Sequence, residues 1–247
     1  MNREGAPHVP DTAQVPQRTG GRSETRTLEH CSDSAAWDWS ALIVSGGASR
    51  RMGADKAELV VDPETGDTQL HRTVTACLDA GADLVVVVGP HPKQITWADN
   101  ARQEYPYDHR VVFTLEQDRY AGPVAALAAG APLIDERWTM LLPVDLVDPA
   151  KAVQQLKTGP QNAENLAVMT GWVGVDDEGH RQHLTALVDT RVLNTALERR
   201  PQPRSVRELA ARWDLVELSG TWNDLNTTED LARLRASQES DGVDDQQ

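Results

Sequence analysis

The chain has 247 residues, 39% of them apolar, and a formal net charge of -14. That length suits one substantial α/β core with loose ends, and the acidity opposes binding to nucleic acid, whose phosphate backbone needs a basic stripe. No run approaches the roughly 18 consecutive apolar residues of a membrane span, and the first thirty residues lack the apolar core of a secretory signal, so no membrane partner and a cytoplasmic location are expected. Cys31 and Cys77 stand far apart in dissimilar settings, which supports neither a disulfide framework nor a CxxC metal site.

Residues 1–36 are rich in Pro, Gly, Arg, Ser, Thr and Glu and read as a disordered arm, because they cannot bury enough apolar surface to offset the entropy of ordering. The domain is expected over 37–236, with 237–247 as a disordered acidic tail. Ala41-Leu42-Ile43-Val44 predicts a buried strand that breaks into the glycine loop beginning Ser45-Gly46-Gly47. A helix is predicted over His71 to Ala80, closed by Gly81, and the β-branched run Asp83 to Val88 predicts a strand buried on both faces. Val111 to Phe113 reads as a strand, Val124 to Ala131 as a helix opened by Gly122-Pro123, and Trp138 to Leu142 as a strand. Beyond Asp145 the pattern predicts helices at 149–156, 192–199, 206–213 and 224–235, and strands at 166–170, 184–188 and 215–218. Strands alternating with helices give an α/β fold with a mostly parallel sheet.

Ligands of open parallel sheets bind beyond the carboxyl ends of the strands, so the chemistry is sought there. In the loop Gly46-Gly47-Ala48-Ser49-Arg50-Arg51-Met52-Gly53-Ala54-Asp55-Lys56, paired glycines let backbone amides approach phosphate oxygens, and Arg50, Arg51 and Lys56 add charge for a triphosphate. The loop is neither a Walker A sequence nor a GxGxxG fingerprint. At the second segment, Leu141-Leu142-Pro143-Val144-Asp145, a strand delivers a carboxylate suited to magnesium, with Asp148 as a weaker companion; the competing reading makes Asp145 the cap of the next helix. The third, Trp222 to Leu231, is either an ordinary capped helix start, with Thr227 or Thr228 as N-cap, or a source of Asn226 for the metal and phosphate site. Glu116 is a candidate reader of guanine, since one carboxylate accepts both the N1 and exocyclic N2 hydrogens. His183 and Thr185 read as structural.

Together, Val44-Ser45-Gly46-Gly47, Ser49, Arg51-Met52-Gly53, Asp55-Lys56-Ala57, Gly122-Pro123-Val124-Ala125, Pro143-Val144-Asp145 and Asn226-Thr227-Thr228-Glu229-Asp230-Leu231 resemble the molybdenum cofactor guanylyltransferase family of the nucleotidyltransferase superfamily. The resemblance implies a Rossmann-like three-layer α/β/α nucleotidyltransferase fold and transfer of GMP from GTP to molybdopterin cofactor with magnesium. It also implies that Val44, Ser45 and Gly46 contact the nucleotide through their backbone, that Lys56 is the phosphate lysine, that Glu116 lies beside the base, and that Asp145 holds the metal. Gly47, Arg51 and Asn226 complete the expected site, with Lys56, Arg51 and Asp145 as its catalytic groups. Transient contact with proteins that carry the cofactor is expected as well. The family usually follows the metal aspartate with a small residue and proline, where this chain has Leu146-Val147-Asp148. The alternatives are a cytidylyltransferase acting on molybdopterin or a sugar or polyol phosphate, disfavoured by Ser45-Gly46-Gly47, and a nucleotide-binding protein without catalysis.

Overall fold

The structure is a computed structural model that describes residues 37–45, 56–63, 65–89, 109–116, 121–198, 204–211, 213–220 and 222–244, with side chains to Ala236. The arm over 1–36 lies outside these residues. The strands are β1 (Trp39–Val44), β2 (Val85–Val88), β3 (Val111–Thr114), β4 (Trp138–Pro143), β5 (Gly171–Val175), β6 (Arg181–Asp189) and β7 (Val216–Ser219). The helices are α1 (Gln69–Asp79), α2 (Pro123–Gly130), α3 (Pro149–Gln161), α4 (Thr190–Leu197), α5 (Val206–Ala210) and α6 (Thr228–Asp244).

One sheet runs in the order β3-β2-β1-β4-β6-β5-β7. β6 pairs antiparallel with both β4 and β5, while the other pairings are parallel. β1 and β2 are buried along their whole length because helices cover both faces, which explains their unbroken apolar runs. Their side chains alternate: Ala41, Ile43, Val85 and Val87 join Leu70, Val74, Val153 and Leu156 beneath α1 and α3. Leu42, Val44, Val86 and Val88 join Val124, Leu127, Leu193 and Leu209 beneath α2, α4 and α5. Each such Val, Leu or Ile side chain contributes roughly 1.5–3 kcal/mol by leaving water. The result is the expected three-layer α/β/α arrangement. Among the described residues, no helix is long and apolar enough to cross a membrane.

Three expectations need correction. The strand predicted at 166–170 is a 3-10 turn at Leu166–Val168, and the strand comes later, as β5. Gly171 and Gly174 weaken the strand pattern of that segment, yet at each a Cβ would collide: with the Leu187 carbonyl oxygen at Gly171 and with the Trp222 ring at Gly174. The helix predicted at 206–213 ends at Ala210. The closing helix begins at Thr228 rather than Asp224 and continues to Asp244, so most of the segment read as a disordered tail is helical.

The chain runs from β1 outward to β2 and β3, then returns to place β4 on the other side of β1. The connections therefore diverge between the carboxyl ends of β1 and β4, and a crevice opens there.

Candidate active site

Three segments distant in sequence meet at this crevice. Lys56 opens a 3-10 turn, Lys56–Glu58, whose Ala57 is buried. Its Nζ donates to Asp145 Oδ2 at 2.6 Å and to Asn226 Oδ1 at 3.0 Å, across 89 and 170 residues of sequence. The Lys56 and Asp145 side chains are 19% and 22% exposed, so the pair is shielded from full solvation yet open to a ligand.

Backbone bonds fix the partners of this lysine. The Val144 amide donates to the Val44 carbonyl at 3.2 Å, which ties the exit of β4 to the end of β1. The next residues form a short antiparallel bridge, Leu146 opposite Asp224. In it the Val147 amide donates to the Asn223 carbonyl at 2.8 Å and the Leu225 amide to the Asp145 carbonyl at 2.6 Å. The bridge is anchored from behind by Trp222, whose Nε1 donates to the Val175 carbonyl at 3.1 Å within the core. Leu225, Leu231 and Leu234 pack with Val61 in a separate apolar cluster that seats α6 beside the Lys56 turn. Thr227 caps that helix: its Oγ1 accepts the Asp230 amide at 3.1 Å, and the Asp230 carboxylate accepts the Thr227 amide at 2.9 Å.

Asp224, placed by sequence within the closing helix, instead sits on the bridge next to Asp145. Loss of solvent around its carboxyl, then the Asp145 charge, push its pKa up to about 6 against the opposing pull of Lys56. Its signal in the sequence was only the alternation Asp224-Leu225-Asn226, too short to tell from a helix start. One carboxylate and one amide oxygen, those of Asp145 and Asn226, thus converge on one ammonium, with the Asp224 carboxyl close enough to feel both the Asp145 and the Lys56 charge. This is a hard-oxygen set of the kind that holds magnesium through one or two carboxylates while substrate phosphates and water complete the shell. Lys56 already places a cation on Asp145, and the crowding at Asp224 is what a divalent ion would relieve. Asp145, Asp224 and Asn226 therefore fit such an ion. Among the described residues, no group of three or more His, Cys, Asp or Glu side chains forms a complete cage without substrate.

The other expected residues divide clearly. Val44 and Ser45 lie at the end of β1, where the Ser45 amide donates to the Val88 carbonyl at 2.9 Å and its Oγ donates to the same oxygen at 3.1 Å. Gly46, Gly47, Ser49, Arg50, Arg51 and the remainder of that loop to Asp55 lie outside the described residues. Glu116 follows β3, on the same carboxyl edge but two strands from β1, about 10 Å by ladder spacing. Asp148 is not a companion to Asp145. It caps α3 by accepting the Lys151 amide at 2.9 Å, so the capping role weighed for Asp145 belongs to Asp148. His183 lies on β6, where burial, then Arg181 and Arg207, hold its pKa below the usual histidine range.

Residues 41–216 match the family described as the MobA-like NTP transferase domain. The chain belongs to this family. It is 32% identical over 137 residues to the probable molybdenum cofactor guanylyltransferase of Synechococcus elongatus, covering 52% of the chain, and matches that of a second Synechococcus strain equally. The chain spans 60% of the length of these relatives. Among solved structures, a nucleotidyl transferase from Methanothermobacter aligns with a TM-score of 0.57 at 19% identity, covering 82% of this chain and 98% of that one. The Rv0371c protein of Mycobacterium tuberculosis aligns with a TM-score of 0.56 at 20% identity, covering 81% and 99%. Both likenesses are of fold.

Proposed function

We propose that the chain is a magnesium-dependent guanylyltransferase that moves GMP from GTP to molybdopterin cofactor, releasing pyrophosphate. The observation that carries this reading is the meeting of Lys56, Asp145 and Asn226 at the switch point between β1 and β4. The family match supports nucleotidyl transfer, and the curated relatives' name supports the guanine nucleotide and the molybdenum cofactor.

A terminal phosphate oxygen of the acceptor attacks the α-phosphorus of GTP. The new P–O bond forms as the bond to the bridging oxygen of the leaving pyrophosphate breaks, and that oxygen keeps the electron pair. The attacking oxygen is already an anion, so no side chain need remove a proton. Catalysis then reduces to alignment and charge neutralisation. Lys56 turns from its carboxylate partner to the phosphates, and Arg51 adds a second positive charge. Asp145, with Asp224 and Asn226, would hold magnesium, which supplies Lewis-acid polarisation and a template for the phosphates. Gly46 and Gly47 offer backbone amides, the Val44 and Ser45 backbone borders the nucleotide, and Glu116 reads the guanine edge from the β3 side.

The test is pyrophosphate release by purified protein given magnesium, molybdopterin and GTP, CTP or ATP separately. Release with GTP alone is expected. Release with CTP alone would transfer the reading to cytidylyl transfer, and silence with all three would overturn it.

A further inference from the structure

We propose that Gln69 is a positioning residue for Asp145, an inference that rests on the reading of Asp145 as a metal ligand. In the antiparallel bridge, Asp145 and Val147 direct their bonding groups toward residues 223–225, so the Leu146 carbonyl faces the other way, toward α1. Gln69 Nε2 donates to that carbonyl. Gln69 is the first residue of α1 and wholly buried, and its own amide donates to the Leu59 carbonyl at 2.9 Å. Leu59 follows the 3-10 turn that carries Lys56. One side chain therefore supports the metal-side segment while its backbone supports the lysine-side segment. Arg72, one turn along α1, adds a longer contact from its guanidinium to the Val147 carbonyl at 3.4 Å.

An amide at this depth is a poor choice for stability alone. Its Oε1 has no hydrogen-bond partner among the described residues, and an unsatisfied buried acceptor costs stability that an aliphatic side chain would not. What the amide does provide is a second edge to Leu146-Val147, the stretch where the resemblance leads one to expect a stiffening proline. The side-chain amide acts as the missing neighbouring strand.

The test compares Gln69→Leu, which keeps the bulk and removes the donor, with Thr73→Val on the same helix. Thr73 is equally buried, but its hydroxyl donates to the Gln69 carbonyl of its own helix, so it controls for loss of a buried polar group. The readouts are Mn2+ affinity of the full-length protein with GTP, followed by electron paramagnetic resonance without acceptor, and kcat and KM for GTP. Gln69→Leu is expected to weaken Mn2+ binding about tenfold. Its kcat should fall by a similar factor with KM for GTP little changed, and Thr73→Val should retain wild-type Mn2+ affinity. Gln69→Met serves the same purpose if the leucine variant does not fold. Wild-type Mn2+ affinity and kcat in a folded Gln69 variant, or equal losses in Thr73→Val, would overturn the proposal. A wild-type protein that binds no Mn2+ would instead overturn the metal reading of Asp145 beneath it.

Discussion

The two halves of the sheet build the site by different means. In the half made of β3, β2, β1 and β4, apolar strands, with β1 and β2 wholly buried between helices, deliver Asp145 just past the end of β4 and are tied to Lys56 at the start of its 3-10 turn. In the half made of β6, β5 and β7, the central strand β5 fits through glycines pressed against a carbonyl and a tryptophan ring, and the site receives Asp224 and Asn226 only indirectly, through the Trp222 anchor. Hydrophobic burial tolerates small changes of shape, whereas a glycine under an indole does not. The second half should therefore be the more brittle, though the first holds the groups closest to the chemistry.

Substitutions can break this contrast. The largest effect is expected from Asp145→Ala, which should lower kcat by at least about a thousandfold, equivalent to about 4 kcal/mol of transition-state stabilisation, with a modest loss of GTP affinity. Steady-state kinetics beside nucleotide titration checks it. Gly171→Ala follows: its φ of 146° and a Cβ only 2.2 Å from the Leu187 carbonyl oxygen should cost about 3 kcal/mol, read as a lowered denaturant midpoint. Trp222→Phe keeps an aromatic ring but removes one of the two donors to the Val175 carbonyl, which retains the Gly220 amide at 3.2 Å, so about 1 kcal/mol of stability should go, together with some kcat. A loss of kcat with no loss of stability would separate Trp222 from the anchoring role.

The smallest effect concerns Asp224. Its folded-state pKa is raised from 3.8 to about 6, so the folded protein keeps a proton that the unfolded chain has released. Stability without metal should therefore fall as pH rises through that window. Asp224→Asn should flatten the decline and raise stability at neutral pH, by less than about 1 kcal/mol because much of the residue meets solvent. A variant with an unchanged pH profile would place the carboxyl in an ordinary environment.

The same contrast explains what could be read from sequence. Unbroken runs such as Val85 to Val88 declare a buried strand, and the segments after β1 and β4 follow from the rule that ligands bind at strand ends. Lys56, Asp145 and Asn226 were accessible because each lies in a motif dense with unusual residue types. Asp224 was not, because a carboxylate three residues before a helix cap looks like part of the first turn until the bridge to Leu146 is seen. Gln69 was hidden for a different reason, since it falls before the helix predicted from His71, where a polar residue reads as exposed, and its bond to the Leu146 carbonyl is seen only in the fold. β5 was displaced because Gly171 and Gly174 weaken the local strand pattern, while the contacts that demand them come from Leu187 and Trp222.

The most direct test of nucleotidyl transfer at the Lys56, Asp145 and Asn226 cluster is to follow label from the α-phosphate of GTP into molybdopterin. Label in a dinucleotide product, appearing in step with pyrophosphate and absent with Asp145→Ala, is the expected result. Label that stays in GTP, or that reaches product equally well with Asp145→Ala, would contradict it.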